Sequence, residues 1–195
     1  MPQEGNHNPS FQLLLSTTEQ LIEEKGCRNT TLQEIINRSG LSKGAIYHYV
    51  RSKDELFGLV LQTRLEAVNE RFFSQVNAGK KELDHPLQAI AEGLQHIHDP
   101  KDVTNQIFVY LVSQRDNPAI ARLLQDLYQL SLQTSVNWIE TGQQNGVIPS
   151  TLDARRIADM FIVISYGFRL RSMVTTDENH FSIADFHQVM RETLQ

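Results

Sequence analysis

Through most of this chain apolar side chains return every three or four positions, the period of an α-helix rather than of a strand. Leu32, Ile35 and Ile36 share one face of a short segment. Ile157, Phe161, Ile164 and Phe168 form a stripe along a longer one, with Ala158, Ile162 and Ser165 on another side, and Ile183, Phe186, Val189 and Met190 give the last segment an amphipathic face. Prolines fall where a first helical turn tolerates them, at Asn8-Pro9, His85-Pro86, Asp99-Pro100 and Asn117-Pro118, and none interrupts a long periodic run. Thr31 with Glu34, and Ser52 with Glu55, have the spacing of capping boxes. These signals predict helices over about 9–25, 32–38, 43–49, 53–77, 86–97, 101–114, 118–142, 153–173 and 183–194. Ile107 to Val112 and Phe161 to Ile164 have strand-like composition, but their long flanks carry no hairpin turn and offer no pairing partner, so buried helix is the expectation. The fold class is all-α.

Between Thr30 and Tyr49 the pattern becomes specific. Ser39-Gly40 can end the first short helix, because glycine enters the left-handed conformation without steric cost. Leu41 can plug the turn, and Ser42 can cap a second short helix that turns Ala45 or Ile46, and Val50, inward. Two short helices around a Gly-containing turn make a helix-turn-helix, whose second helix fits the major groove of DNA with its first residues at base edges.

Charge sharpens that reading. The 195 residues carry 18 Lys+Arg against 23 Asp+Glu, a formal net of -5. From Ile35 to Lys53, however, there is no acidic residue, while Arg38, Lys43, His48, Arg51 and Lys53 are present. A cationic window in an acidic protein is either a solvated face or one reserved for an anion, and charge alone does not choose. The apolar runs are far shorter than the roughly 20 residues of a membrane span, and Met1 to Asn8 has no secretion core. With a single cysteine, Cys27, there is no intrachain disulfide or cysteine-based zinc cluster. A cytoplasmic protein without membrane attachment is expected.

The run Thr30-Thr31-(x)3-Ile35-(x)4-Gly40-Leu41-Ser42-Lys43-Gly44-Ala45-Ile46-Tyr47-His48-Tyr49-(x)3-Lys53-(x)2-Leu56 resembles the DNA-binding domain of the TetR family of bacterial transcriptional regulators, and Leu14, Thr18, Leu21, Ile22 and Gly26 agree with its first helix. The likeness covers about the first quarter of the chain. It departs from the family at packing positions: Ser16-Thr17-Thr18 replaces a small alanine pair, Ile22 an aromatic, Ile35-Ile36 an Ile-Ala pair, and Val50 a phenylalanine. The resemblance implies an N-terminal three-helix DNA-binding domain over residues 1–54 and a helical effector-binding and dimerisation domain over 55–195. It implies that Thr31, Tyr47 and Lys53 reach phosphate, that Lys43, Gly44 and Ala45 face bases, and that His48 meets a base or sugar. Lys43 can donate to guanine O6 or N7, and the hydroxyls of Thr31 and Tyr47 are donors.

Beyond Leu59 only the layout is similar. The resemblance implies a cavity for a small organic effector among the middle helices, for which Phe108, Leu111, Tyr128, Ser131 and Trp138 are candidates, and a homodimer built on the last two long helices. The segment 160–164 is apolar all round, so it must be buried on more than one side. Phe161, Ile164, Phe168, Phe186 and Met190 are the expected interface, Gly167 would allow close approach, and Arg169 or Arg171 could face an acidic ligand or the partner. No catalytic or cofactor site is expected. His96 and His98 are two apart and face different ways on a helix; His180 and His187 have no acidic motif between them. No phosphate loop or nucleophile turn is present, Cys27 has the setting of an inert buried thiol, and Glu23-Glu24 and Asp177-Glu178 are solvated surface. The expected function is that of a homodimeric repressor released from a palindromic DNA operator by a small molecule. A DNA-binding dimer without an effector, and an all-helical enzyme with a fortuitous helix-turn-helix-like segment, are the alternatives.

Overall fold

The computed structural model describes residues 8–77, 84–175 and 181–195, and every regular element among them is a helix. In chain order these are α1 (Pro9–Asn29), α2 (Leu32–Ser39), α3 (Lys43–Tyr49), α4 (Lys53–Asn77), α5 (Asp84–Gly93), α6 (Val103–Ser113), α7 (Pro118–Gln144), α8 (Ala154–Ser172) and α9 (Ile183–Leu194). Asp177-Glu178, His180 and the first seven residues, all discussed above, lie outside the described residues.

The helix ends carry the chemistry that their sequences advertise. Asn8 caps α1, its Oδ1 accepting from Ser10 N at 2.9 Å with Pro9 in the first turn. Asp102 caps α6 through Asn105 N, and Asp153 caps α8 through Arg155 N and Arg156 N. Ser182 and Asp185 form a complete capping box at α9. At α4 the box is displaced by one residue: Ser52 Oγ accepts from Glu55 N at 3.1 Å, but the Glu55 carboxylate takes the N–H of Arg51 at 2.6 Å. Ile107 to Val112, strand-like by composition, is the second half of α6. Val103, Ile107 and Leu111 recur at intervals of four and all are buried, so burial of one helical face overrides local β-propensity.

The chain divides into two compact units. Unit 1 comprises Met1–Arg64 with Lys101–Leu127; unit 2 comprises Leu65–Pro100 with Tyr128–Gln195. In unit 1 the core gathers Leu14, Ile22, Ile35, Ile46, Leu56 and Phe57 from the first four helices with Ile107 and Leu111 of α6. In unit 2 it gathers Leu132, Val136 and Ile139 of α7, Ala158 and Ile162 of α8, and Phe186, Met190 and Leu194 of α9. No helix of the described residues is long and apolar enough to cross a membrane.

Candidate nucleic-acid interface

The helix-turn-helix is built from caps and one shared core. Thr31 opens α2 with a full capping box: its Oγ1 accepts from Glu34 N, and the Glu34 carboxylate accepts from both the N–H and the hydroxyl of Thr31, the latter at 2.8 Å. Lys25 also pairs with Glu34, and its ammonium, followed by the Thr31 hydroxyl, holds that carboxyl below its usual range. Gly40 ends α2 at φ 66, a left-handed conformation that favours glycine. Ser42 caps α3, accepting from Ala45 N at 3.2 Å. Of the residues expected inside, Ile46 is fully buried and Val50 nearly so, while Ala45 is only half-buried. Thr18, where the family has a small residue, is buried with its hydroxyl donating to Leu14 O at 2.7 Å, so the substitution is absorbed within α1.

With that face turned inward, the other face of α3 is exposed. Lys43, Gly44, Tyr47 and His48 all lie on it, and Tyr47 is 45% exposed although it is aromatic. Lys43 and Tyr47 are one turn apart, with the Lys43 ammonium 5.7 Å from the Tyr47 ring centroid. Tyr49 behaves differently: it is half-buried and packs on Phe11 at 5.1 Å between ring centroids. A Cβ added to Gly44 would meet nothing within 4 Å. Arg51, just past α3, is exposed, whereas Arg38 is drawn into an ion pair with Glu24 at 2.5 Å. The arrangement offers two cations, a phenol and an imidazole on one outward surface, the donor set that a phosphate backbone and guanine edges accept.

Two of the expected phosphate contacts have other partners here. The Thr31 hydroxyl donates to Glu34, as described. Lys53 points towards the protein: its Nζ lies 3.1 Å from Cys27 O, 3.1 Å from Thr30 O and 3.4 Å from Arg28 O. The same ammonium is 5.2 Å from the ring centroid of Tyr110 on α6, and the Tyr110 hydroxyl donates to Asp54 at 3.0 Å. Burial, then the Asp54 carboxylate, push the Tyr110 phenol up to about 12; burial, opposed by the Lys53 charge, pushes the Cys27 thiol up to about 12. Nothing in the local sequence around Lys53 announces these partners, which come from residues 23–26 positions earlier and from α6.

The other candidates divide between the units. Phe108 and Leu111 belong to unit 1, where Leu111 is fully buried in the core. Tyr128, Ser131 and Trp138 belong to unit 2. There Tyr128 donates to Asp159 at 2.5 Å, and Trp138 stacks on Phe72 at 5.0 Å while its Nε1 donates to Asn69 at 2.8 Å. On α8 and α9 the expected interface residues are turned inward. Phe168, Phe186 and Met190 are at most 2% exposed, and Phe161 and Ile164 are half-buried against the same core. Phe168, Phe186 and Met190 are thus enclosed by their own core, whereas Phe161 and Ile164 keep part of their surface. The outward apolar residues of α8 are Met160, Val163 and Leu170, continuing to Val174 past its end, with Gly167 exposed among them. Their spacing of three, four, three and four confines them to one narrow stripe. That spacing was present in the sequence and was hidden by apolar residues on every other side.

Comparison with known proteins agrees with this geometry. The sequence pattern of the bacterial regulatory proteins of the tetR family matches residues 14–60, which span α2, α3 and their packing partners. The HTH-type transcriptional regulator YfiR of Bacillus subtilis is 21% identical over 85% of this chain and 80% of its own. The fatty acid degradation regulator FadR from Bacillus halodurans has a similar fold, with a TM-score of 0.67 at 18% identity over 95% of this chain and 100% of that one. So has a transcriptional regulator from Saccharomonospora viridis solved in complex with choline, with a TM-score of 0.61 at 21% identity over 93% of each chain. The helix-turn-helix with its outward α3 and the matched pattern together show that residues 14–60 carry the DNA-binding domain of the tetR family of bacterial regulatory proteins, and that the chain is a DNA-binding transcriptional regulator.

Proposed function

We propose that the protein is a homodimeric repressor that reads a palindromic operator with two copies of α3 and is released from it by a small organic effector. The observation that carries the DNA side of this reading is the outward face of α3, with Lys43, Gly44, Tyr47 and His48 exposed in a window without acidic residues. Lys43 and Ala45 follow the Ser42 cap and address bases; Tyr47 and His48, further along, address the backbone, and Arg51 adds charge just beyond. Thr31 joins them by turning its hydroxyl from Glu34 to a phosphate.

Dimerisation is supported by the stripe Met160, Val163, Gly167, Leu170 and Val174. Exposed apolar residues at a spacing of three and four are the seam that a second helix fills, and a homodimer brings the same seam from each copy. An effector is supported by the neighbour solved in complex with choline. In this chain Tyr128, Ser131 and Trp138 of unit 2 are the candidates for contact with it.

Selection of duplexes from a randomised library by the purified chain tests the reading. Recovery of an inverted repeat supports a dimer with two reading helices, and recovery of a single unrepeated site would rule it out. Release of the selected duplex by one member of a metabolite panel that includes choline and fatty acids would establish the effector. Retention of the duplex throughout would favour a regulator without one.

A further inference from the structure

Accounting for the backbone carbonyls at the end of α1 assigns Lys53 a role. The last carbonyls of a helix have no partner within it and must find one elsewhere. Here Asn29 Nδ2 donates to Lys25 O at 2.9 Å, and the N–H and hydroxyl of Thr30 both donate to Gly26 O. The Lys53 ammonium is donor to the carbonyls of Cys27 and Arg28 and to that of Thr30 just beyond. An ammonium has three N–H groups, so this set uses them all and leaves none for a phosphate. These carbonyls lie past Gly26, whose φ of 78 and ψ of 164 break the regular helix, so they belong to the turn that closes α1. Tyr110 covers the ammonium with its ring and donates its hydroxyl to Asp54, the next residue on α4.

The bond from Lys53 to Thr30 O has a topological consequence. Thr30 immediately precedes the α2 cap and Lys53 immediately follows the chain leaving α3. The contact therefore ties together two residues 23 apart, closing the whole helix-turn-helix into one loop.

We propose that Lys53 is a positioning residue: it clamps the two ends of the helix-turn-helix to the carbonyl end of α1, beneath Tyr110, and serves DNA binding through the placement of α2 and α3, without touching phosphate. This inference rests on the reading of α3 as the face that meets DNA.

The test uses the full chain, Lys53→Met and Lys53→Arg, and a duplex selected by the wild type from a randomised library. Fluorescence anisotropy across about 50 to 200 mM KCl gives affinity and salt slope. Thermal melting without DNA reads the clamp by itself. Arginine keeps the charge and binds phosphate well, but its planar fork does not match three carbonyls converging on one nitrogen. We therefore expect both variants to melt lower by about 4 °C or more, to bind about tenfold more weakly, and to keep the wild-type salt slope. A phosphate grip gives the opposite pattern. Lys53→Met would melt like the wild type and lose about 0.9 of slope per protomer, and Lys53→Arg would restore both affinity and slope; that pattern overturns the proposal. If the wild type selects no duplex, the reading of α3 fails, and the melting comparison still decides the clamp: unchanged melting in both variants overturns it.

Discussion

Gly167→Ala separates the needs of one protomer from those of a pair. Gly167 lies within α8 at an ordinary helical conformation, and a Cβ added there would meet nothing within 4 Å. In the isolated protomer the substitution is therefore free of clash and gains helix propensity, about 0.8–1.0 kcal/mol. For a chain of this size that corresponds to a rise in melting temperature of roughly 2–4 °C. The gain is the same in monomer and dimer and cancels from their equilibrium. What does not cancel is the space. If the seam of Met160, Val163 and Leu170 packs against its copy with Gly167 at the crossing, each added methyl intrudes on a helix opposite. Overpacking of this kind costs about 1–3 kcal/mol per site. With two sites, even the low end weakens dimerisation by about 2 kcal/mol, roughly 30-fold in Kd. Sedimentation equilibrium over a dilution series measures that constant, and calorimetry under dissociating dilution measures the protomer. A variant that melts higher as a monomer while dimerising 30-fold more weakly bears out the seam. A variant that melts higher and dimerises as tightly as the wild type would show that no helix approaches Gly167, and the interface would have to lie elsewhere.

Lys43→Ala should relax sequence preference at one base position in each half-site by about 1–3 kcal/mol, while Tyr47→Phe should lower affinity with little change in preference; library selection with each variant distinguishes them, and an even loss over all sequences for Lys43→Ala would make it a backbone contact. The raised values of Cys27 and Tyr110 predict alkaline sensitivity. Both groups hold their protons more tightly in the folded chain, up to about 12, than in the unfolded chain, where they titrate at 9.0 and 10.0. The stabilisation is complete below those unfolded values and is lost as pH rises from about 9 towards 12. Urea midpoints should fall over that interval and fall less steeply in Cys27→Ala and Tyr110→Phe; an identical fall in all three proteins would refute the assignment.

Local chemistry explains which parts were legible in the sequence. Thr31, Gly40 and Ser42 act on backbone groups within three residues of themselves, so their roles follow from spacing, and α2 and α3 fall where the pattern puts them. The same holds for the cap at Asn8. Lys53 was not legible in this way, because its partners are carbonyls of α1 and a ring from α6. Nor was the orientation of α8. A helix apolar on all sides leaves two choices of inner face, and composition favoured the aromatic stripe through Phe168 for the partner. The fold spends those aromatics on the protomer's own core, where Phe168 packs near Phe186 and Phe181. Large rings bury the most area per residue, so the core of a small unit takes them first, and the thinner residues Val163, Gly167 and Leu170 are left outside.

The glycines extend this logic to what the protomer lacks. Gly58 and Gly93 have reasons inside the chain: a Cβ at either would come within 2.7 Å of a methyl of Leu123 or Val68, and that side chain would have to shift. Gly40 has a reason in its backbone, which is left-handed. Gly44 and Gly167 have neither. Each sits in a helix at ordinary φ, each faces open space, and each forgoes the helix stability that alanine would give, about 1 kcal/mol. One is on the outward face of α3 and the other within the apolar seam of α8. Those are the two surfaces on which DNA binding and dimerisation depend in the proposed mechanism. A missing side chain that costs the protomer stability and clears space only on its outside is what the proposed mechanism requires at these two places, where a duplex would lie against Gly44 and a second α8 against Gly167.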